Sequence, residues 1–218
     1  MTRLIFVRHG ESQVTVNRVV GGPRSCIGLS DLGRRQAANL RDRWMQTSEF
    51  TPDLVISSAY PRAKETAEIV LPAFAGRSIE VIPEFGEHDP GPQCDGLKYT
   101  EFTERFGDPD WENDPYGVTF PGGETIAEFQ IRIGTATRAL IERVGSGTAI
   151  VFCHGGVVDT VLRQSLRTSG TGIFEIHTKN TSITEFVIVR PGRSRLVRYN
   201  DAAHTADLPA STNRPEDF

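Results

Sequence analysis

Leu4-Ile5-Phe6-Val7-Arg8-His9-Gly10-Glu11 passes in one step from an unbroken apolar run to charged and polar residues. Read as a strand that stops near Val7, it delivers Arg8 and His9 to the strand's carboxyl end. The order recurs at residues 54–57 and 149–153, which are again short apolar runs, each followed by Gly, Ser or Pro and then by a longer stretch of helical period. Repeated strand-then-helix order is the sequence form of an α/β sandwich around a mainly parallel sheet. Helices are expected at 61–71, 125–144 and 157–166. An earlier one starts at Ser30, a residue suited to the N-cap, with Leu32, Ala37, Leu40 and Trp44 on one face. Within 125–144, residues Ile126, Phe129, Ile133, Thr137, Leu140 and Val144 recur every three or four positions as a core-facing stripe. Residues 183–189, Pro191-Gly192 and residues 196–199 read as a hairpin at one margin of the sheet.

With 218 residues, 24% of them charged and 38% hydrophobic, the chain has the profile of a soluble globular protein and the size of one compact domain. One domain is expected over 1–205. It carries an irregular, lid-like excursion at 85–123, rich in Pro, Gly, Asp and aromatic residues, with one short helix at Tyr99–Phe106. From 206 to 218 the polar, Pro-containing sequence reads as a flexible tail. A net charge of −4 with scattered Lys and Arg argues against a nucleic-acid partner. Residues 4–7, flanked by Arg3 and Arg8, are too short for a secretory or membrane segment, which gives the expectation of a cytoplasmic protein with no membrane partner. The three cysteines, Cys26, Cys94 and Cys153, lie far apart without the spacing of a zinc site or a disulfide scaffold, so reduced thiols are expected.

The chemistry-bearing residues gather at strand ends. Arg8-His9-Gly10-Glu11 and His154-Gly155-Gly156 each follow a strand directly, where open α/β sheets bind ligands. In Ser57-Ser58-Ala59-Tyr60-Pro61-Arg62-Ala63-Lys64-Glu65-Thr66-Ala67, another strand is followed by Arg62 at the start of a helix, where cations and backbone donors suit a phosphate. Further stretches are Gly28-Leu29-Ser30-Asp31-Leu32-Gly33-Arg34-Arg35-Gln36-Ala37, Pro121-Gly122-Gly123-Glu124 and Asn180-Thr181-Ser182. With these motifs in this order the chain resembles the histidine phosphatase superfamily, also called the phosphoglycerate mutase-like family, up to about residue 205.

The resemblance implies a three-layer α/β/α sandwich with the site above the carboxyl ends of the strands, and phosphoryl transfer with neither cofactor nor metal. By it, a neutral imidazole nitrogen of His9 attacks phosphorus and carries the group as phosphohistidine. Arg8, Arg62 and His154 surround the phosphoryl oxygens. For the proton donor, the matching region Glu87-His88-Asp89-Pro90-Gly91-Pro92-Gln93-Cys94-Asp95-Gly96 assigns Glu87, with Glu84 three residues upstream as the alternative and Asp89 as a weaker one. Where the family usually has Asn seven residues after the first Arg, this chain has Thr15, with Asn17 two residues on. A hydroxyl donates one hydrogen bond in place of the amide. Thr15, Asn17, Gly155 and Arg24, the last beside Gly21-Gly22-Pro23, are the expected substrate contacts.

A phosphomonoesterase acting on a small phosphate ester is the favoured function. Mutases of the family share the same core residues, but they carry Glu-Arg-His-Tyr-Gly around the acid and are usually longer, whereas here the stretch is Glu87-His88-Asp89-Pro90-Gly91. A reading from another class is a phospho-ligand binding protein without turnover, which would bind its ligand unconsumed. His88, His177 and His204 receive no role. Cys153 reads as a buried strand thiol despite its place before His154. Arg34-Arg35 and residues 41–43 read as a solvated helix face, and the hairpin edge at 183–199 offers a surface for a homodimer.

Overall fold

The computed structural model of the chain describes residues 1–108, 110, 120–168 and 174–211. Its strands are β1 (Thr2–Arg8), β2 (Leu54–Ser57), β3 (Ile79–Val81), β4 (Thr148–Cys153), β5 (Ile183–Arg190) and β6 (Arg193–Asp201). They make one six-stranded sheet in the order β3-β2-β4-β1-β5-β6. β1 to β4 run parallel, β5 runs antiparallel to β1, and β6 antiparallel to β5. The mainly parallel sheet and the hairpin at its margin are as the sequence predicts.

The described helices are α1 (Gln13–Val16), α2 (Asp31–Thr47), α3 (Pro61–Val70), α4 (Gly91–Cys94), α5 (Tyr99–Phe106), α6 (Ile126–Val144) and α7 (Gly155–Leu166). Ile5 and Val7 of β1 pack with Ala37, Leu40 and Trp44 of α2 and with Ala67 and Val70 of α3. Leu4 and Phe6 face the other way, onto Phe129, Ile133 and Leu140 of α6 and Val157 and Val161 of α7. Both faces of β1 are therefore covered, which is why residues 4–7 read as a continuous run rather than an alternation. Leu40 is fully buried, and truncating it to Ala should cost about 2–5 kcal/mol.

The connections place the crevice. After β1 the chain crosses by α2 to β2, on one side of β4. After β4 it crosses by α7 to β5, on the far side of β1. The two connections leave in opposite directions over opposite faces, so a cleft opens at the carboxyl ends of β1 and β4.

Local signals explain most boundaries. Ser30 Oγ accepts from Gly33 N at 3.0 Å and starts α2. Thr125 and Glu128 form a reciprocal capping box at the start of α6, and Pro61 opens α3 where its missing N–H costs nothing. α7 begins two residues earlier than the periodicity suggests, because His154 is its N-cap. Leu32 is only half-buried; Gly33 and Gln36 share the inner face of α2 instead. Arg43 is not part of a solvated face, since it pairs with Glu49 and Asp201 at 2.8 Å each and thereby ties α2 to β6. The short elements β3, α1 and α4 lack the length to leave a periodic signal.

In the 85–123 excursion α5 occupies the predicted residues, while 109 and 111–119 lie outside the described residues. Of the 206–218 stretch, residues 206–211 are described and Ser211 Oγ accepts from Gln36 Nε2 at 2.8 Å; residues 212–218 lie outside. All three cysteines are buried free thiols. Among the described residues no helix is long and apolar enough to cross a membrane.

Candidate active site

Arg8 of β1 and Cys153 of β4 are register partners, so the residue after each strand is a histidine beside a histidine. The rings of His9 and His154 stand 5.1 Å apart, centroid to centroid, at 62°. Both are buried, His9 at 4% exposure and His154 at 0%. His9 Nδ1 lies 2.6 Å from the Gly10 carbonyl. Only an N–H can meet a carbonyl, so Nδ1 holds the proton and Nε2 its lone pair. Arg62 shares its Nε–H between His9 Nε2 at 3.1 Å and His154 Nδ1 at 3.3 Å. His154 then bears its proton on Nε2 and donates to Ser58 Oγ at 2.7 Å. Each ring thus presents one lone pair to the same guanidinium.

Burial, followed by the charges of Arg62 and Arg8, pushes His9 well below the ordinary imidazole pKa. Burial likewise lowers His154, with Arg62, His9 and Arg8 adding to it. Both rings are neutral at neutral pH. Arg8 donates from Nη1 to the Thr178 carbonyl, while its Nε is buried with no hydrogen-bond partner among the described residues. An unmet buried donor costs about 1–3 kcal/mol, and an anion's oxygen in contact with it would recover that. Arg62 is fixed at the first turn of α3, with its guanidinium 4.6 Å above the Tyr60 ring and Nη1 donating to the Gly21 carbonyl at 3.3 Å. Behind the histidines, Asn180 Nδ2 donates to the His9 carbonyl at 2.9 Å and Gly10 N to Thr66 Oγ1 at 3.1 Å. Glu11 N donates to Gln36 Oε1 at 2.9 Å. The loop carrying His9 is held by its backbone, leaving the imidazole for chemistry.

Glu87 comes after a short 3₁₀ turn at Pro83–Phe85. Its Oε2 accepts from Gly156 N at 3.1 Å in the first turn of α7, and its Oε1 from His88 N at 3.0 Å. A Cβ on Gly156 would sit 2.3 Å from Oε1, so a glycine is required for this approach. Glu84 is exposed and engages Arg132 only by its backbone carbonyl. Asp89 is also exposed, and its carboxylate accepts from Gly91 N at 2.9 Å. Of the three candidate acids, Glu87 is the one standing at the helix that begins beside His154.

The remaining expected contacts divide. An added Cβ on Gly155 would lie 3.7 Å from Arg8 Nε, so this residue borders the guanidinium. Thr15, in α1, exchanges a hydrogen bond with Ser12 Oγ at 2.9 Å. Asn17 is exposed at the end of α1, where its carbonyl accepts from Lys98 Nζ at 2.9 Å. Arg24 is exposed and paired with Asp95 at 3.5 Å, so Gly21 rather than Arg24 brings this loop to Arg62. Cys153 is fully buried, and burial pushes its thiol up, which keeps it protonated. Sequence reasoning assigned no role to Ser58, Tyr60, Thr66 or Asn180. Ser58 and Asn180 lie within the Ser57–Ala67 and Asn180–Ser182 motifs, but their partners are 96 and 171 residues away.

Residues 4–202 match the sequence profile of the histidine phosphatase superfamily (branch 1). The chain is similar to an acid phosphatase of Mycobacterium tuberculosis, at 31% identity over 155 residues and 70% of either protein. It is 28% identical over 202 residues to a bifunctional protein of Mycobacterium tuberculosis. That match takes in 90% of this chain but 53% of the relative, so the chain spans about half of that protein's length. Among solved structures, a phosphoserine phosphatase mutant from Entamoeba histolytica in complex with phosphoserine shares the fold, with a TM-score of 0.77 at 22% identity over 94% of this chain and 99% of the other. With that profile matched over nearly its whole length, this chain belongs to the histidine phosphatase superfamily, branch 1.

Proposed function

We propose that this protein is a metal-independent phosphomonoesterase that hydrolyses a small phosphorylated metabolite through a phosphohistidine on His9. The observation that carries the reading is Arg62 Nε shared between two neutral imidazoles, at 3.1 Å from His9 Nε2 and 3.3 Å from His154 Nδ1. Beside them Gly155, the residue after His154, borders the Arg8 guanidinium, and in this reading a tetrahedral oxyanion is bound by all four groups. The phosphatase name of a relative and the phosphoserine bound by a structural neighbour support the same substrate class.

In the first step the His9 Nε2 lone pair forms the N–P bond as the ester P–O bond breaks, and Glu87 gives its proton to the leaving oxygen. The Nδ1–H bond to the Gly10 carbonyl supports the positive charge that grows on the ring. Arg8, Arg62 and His154 hold the three remaining oxygens, and their fixed positions supply the electrostatic stabilisation that water would have to reorganise to give. For attack, the Arg62 N–H must turn from His9 to a phosphoryl oxygen, releasing the lone pair. The arriving dianion favours protonation of His154, which converts Nδ1 from acceptor to donor. In the second step water attacks phosphorus, Glu87 takes a proton from it, the N–P bond breaks, and inorganic phosphate leaves with His9 neutral again. Gly155, beside the Arg8 guanidinium, is the proposed contact nearest the phosphoryl group, and Thr15, Asn17 and Arg24 are proposed as further substrate contacts.

The deciding experiment is release of inorganic phosphate from a panel of phosphomonoesters and phosphorylated sugar acids, with chelator present, by the wild type and His9→Ala. Chelator-resistant hydrolysis that disappears with His9 is expected. Isomerisation of phosphoglycerate would replace this reading by a mutase, and binding without turnover by a phospho-ligand carrier.

A further inference from the structure

Pro121-Gly122-Gly123-Glu124 has no part in the phosphoryl-transfer steps, and neither has Arg132 of α6. Their contacts converge on the Glu87 segment. Arg132 Nη1 donates to the carbonyls of Glu84 at 2.6 Å and Gly86 at 3.2 Å, and Nη2 to the carbonyl of Glu87 at 3.3 Å. Its other side is a bidentate pair with Glu124, at 2.8 Å from Nε and 2.7 Å from Nη2. Glu124 in turn grips the next residues, with its backbone N donating to the Asp89 carbonyl at 2.9 Å and its carboxylate accepting from Asp89 N at 3.4 Å. Gly123 allows this approach, since a Cβ there would lie 2.5 Å from the Asp89 carbonyl oxygen. The His88 ring is held between Phe120 and Phe129, 5.7 Å from each.

The backbone around Glu87 is therefore gripped before, at and after its own position by one guanidinium and one carboxylate, while Gly156 N and His88 N hold the carboxylate itself. A planar fork of five donors can serve three carbonyls and a carboxylate at once, whereas an ammonium of three donors on a flexible stem cannot. We infer that Arg132 and Glu124 are positioning residues that hold the Glu87 carboxyl at the leaving-group oxygen, and so govern turnover of esters with poor leaving groups. This rests on the reading of Glu87 as proton donor. A donor acts only within about 2.6–3.2 Å of its target, and a misplacement of about 1 Å can cost about 100-fold in rate.

The test is kcat and KM for a series from activated aryl phosphate to alkyl phosphate, with wild type, Glu87→Gln, Arg132→Lys, Glu124→Gln and the double variant Glu87→Gln/Arg132→Lys. Arg132→Lys and Glu124→Gln should each lose about 10- to 100-fold in kcat on the alkyl ester, less than about threefold on the activated aryl ester, and little in KM. Adding Arg132→Lys to Glu87→Gln should cost nothing further on the alkyl ester. An equal loss on every leaving group, or losses that multiply in the double variant, overturns the inference. If Glu87→Gln itself shows no dependence on leaving group, the proton-donor reading fails and takes the inference with it. If Glu87→Gln shows that dependence and the two positioning variants do not, the inference alone fails. Should Arg132→Lys not fold, as read from its melting curve, Glu124→Gln carries the same comparison.

Discussion

Replacing His9 by Ala is expected to flatten the acid side of the protein's stability profile. An imidazole in the unfolded chain titrates near 6.5, whereas burial and the charges of Arg62 and Arg8 hold His9 and His154 well below that value in the folded protein. Between those limits the unfolded chain takes up the proton and the folded chain does not. Stability from these groups is thus fully present above about 6.5 and falls as pH drops through and below it. Each ring contributes a slope of up to about 1.4 kcal/mol per pH unit, about 2.7 kcal/mol for the two, until its own folded pKa is reached. Set against a total stability of order 5–15 kcal/mol, one pH unit removes a substantial share.

The variant removes the slope of His9, while His154 keeps its burial and the charges of Arg62 and Arg8. His204, lowered to about 4 by burial, and His88, lowered also chiefly by burial, titrate alike in both proteins and cancel in the difference. Losing the His9 ring also leaves the Gly10 carbonyl and the Arg62 N–H one partner short, which shifts the whole curve by a constant and leaves the slope as the readout. Urea denaturation from pH 8 to pH 5 should give a shallower profile for His9→Ala, by up to about 1.4 kcal/mol per pH unit. Parallel profiles would mean that His9 titrates normally in the folded state, and the account of an imidazole kept neutral by burial and the neighbouring cations would be wrong.

Sulfate, which does not titrate near neutrality, should take up close to one proton per ion bound at pH 7, because His154 Nδ1 must change from acceptor to donor; calorimetry in buffers of different ionisation enthalpy measures it, and no uptake would sink that role. Ser58→Ala leaves the His154 Nε2–H without its 2.7 Å partner. It should cost about 1–3 kcal/mol in urea denaturation and at least several-fold in kcat, and a variant with wild-type stability would show the bond to be dispensable. Gly156→Ala places a Cβ 2.3 Å from Glu87 Oε1, so turnover of alkyl phosphates should fall more than that of activated aryl phosphates; equal loss on both would point to α7 rather than to the carboxyl.

The fold and the centre of the site were legible for one reason: parallel strands buried on both faces leave apolar runs, and the residues just after such a run lie at the ligand-binding edge. Arg8, His9 and His154 come from that rule, and Arg62 from the helix after another such run. Glu87 was harder to place because the segment around it carries no periodic signal. Its backbone carbonyl is met by Arg132, which is 45 residues away on another element. Ser58 and Asn180 act across the sheet, where no sequence spacing records their partners. Arg43 looked like a surface charge because Glu49 lies just past the end of α2 and Asp201 meets it only after β6 has folded back on α2. Leu32 yielded its place to Gln36 for a polar reason, the bond from Glu11 N that anchors the loop after β1.

The cage joins two requirements that could have been met separately. A histidine nucleophile must be neutral, and a transferring phosphoryl group needs fixed positive charge; in the proposed mechanism Arg8 and Arg62 provide for both, since after burial their fields help lower His9. Arg62 Nε is engaged with the two imidazoles, so a phosphoryl group must compete for that donor, whereas Arg8 Nε is still to be satisfied. The exchange is favourable for an anion, because a charge-assisted bond to oxygen is about twice as strong as one to a neutral acceptor. A neutral ester group gains no such advantage and leaves the His9 lone pair occupied. On the proposed mechanism, discrimination in favour of phosphate monoesters therefore begins before any leaving group is touched, in the hydrogen bond that attack requires to be broken.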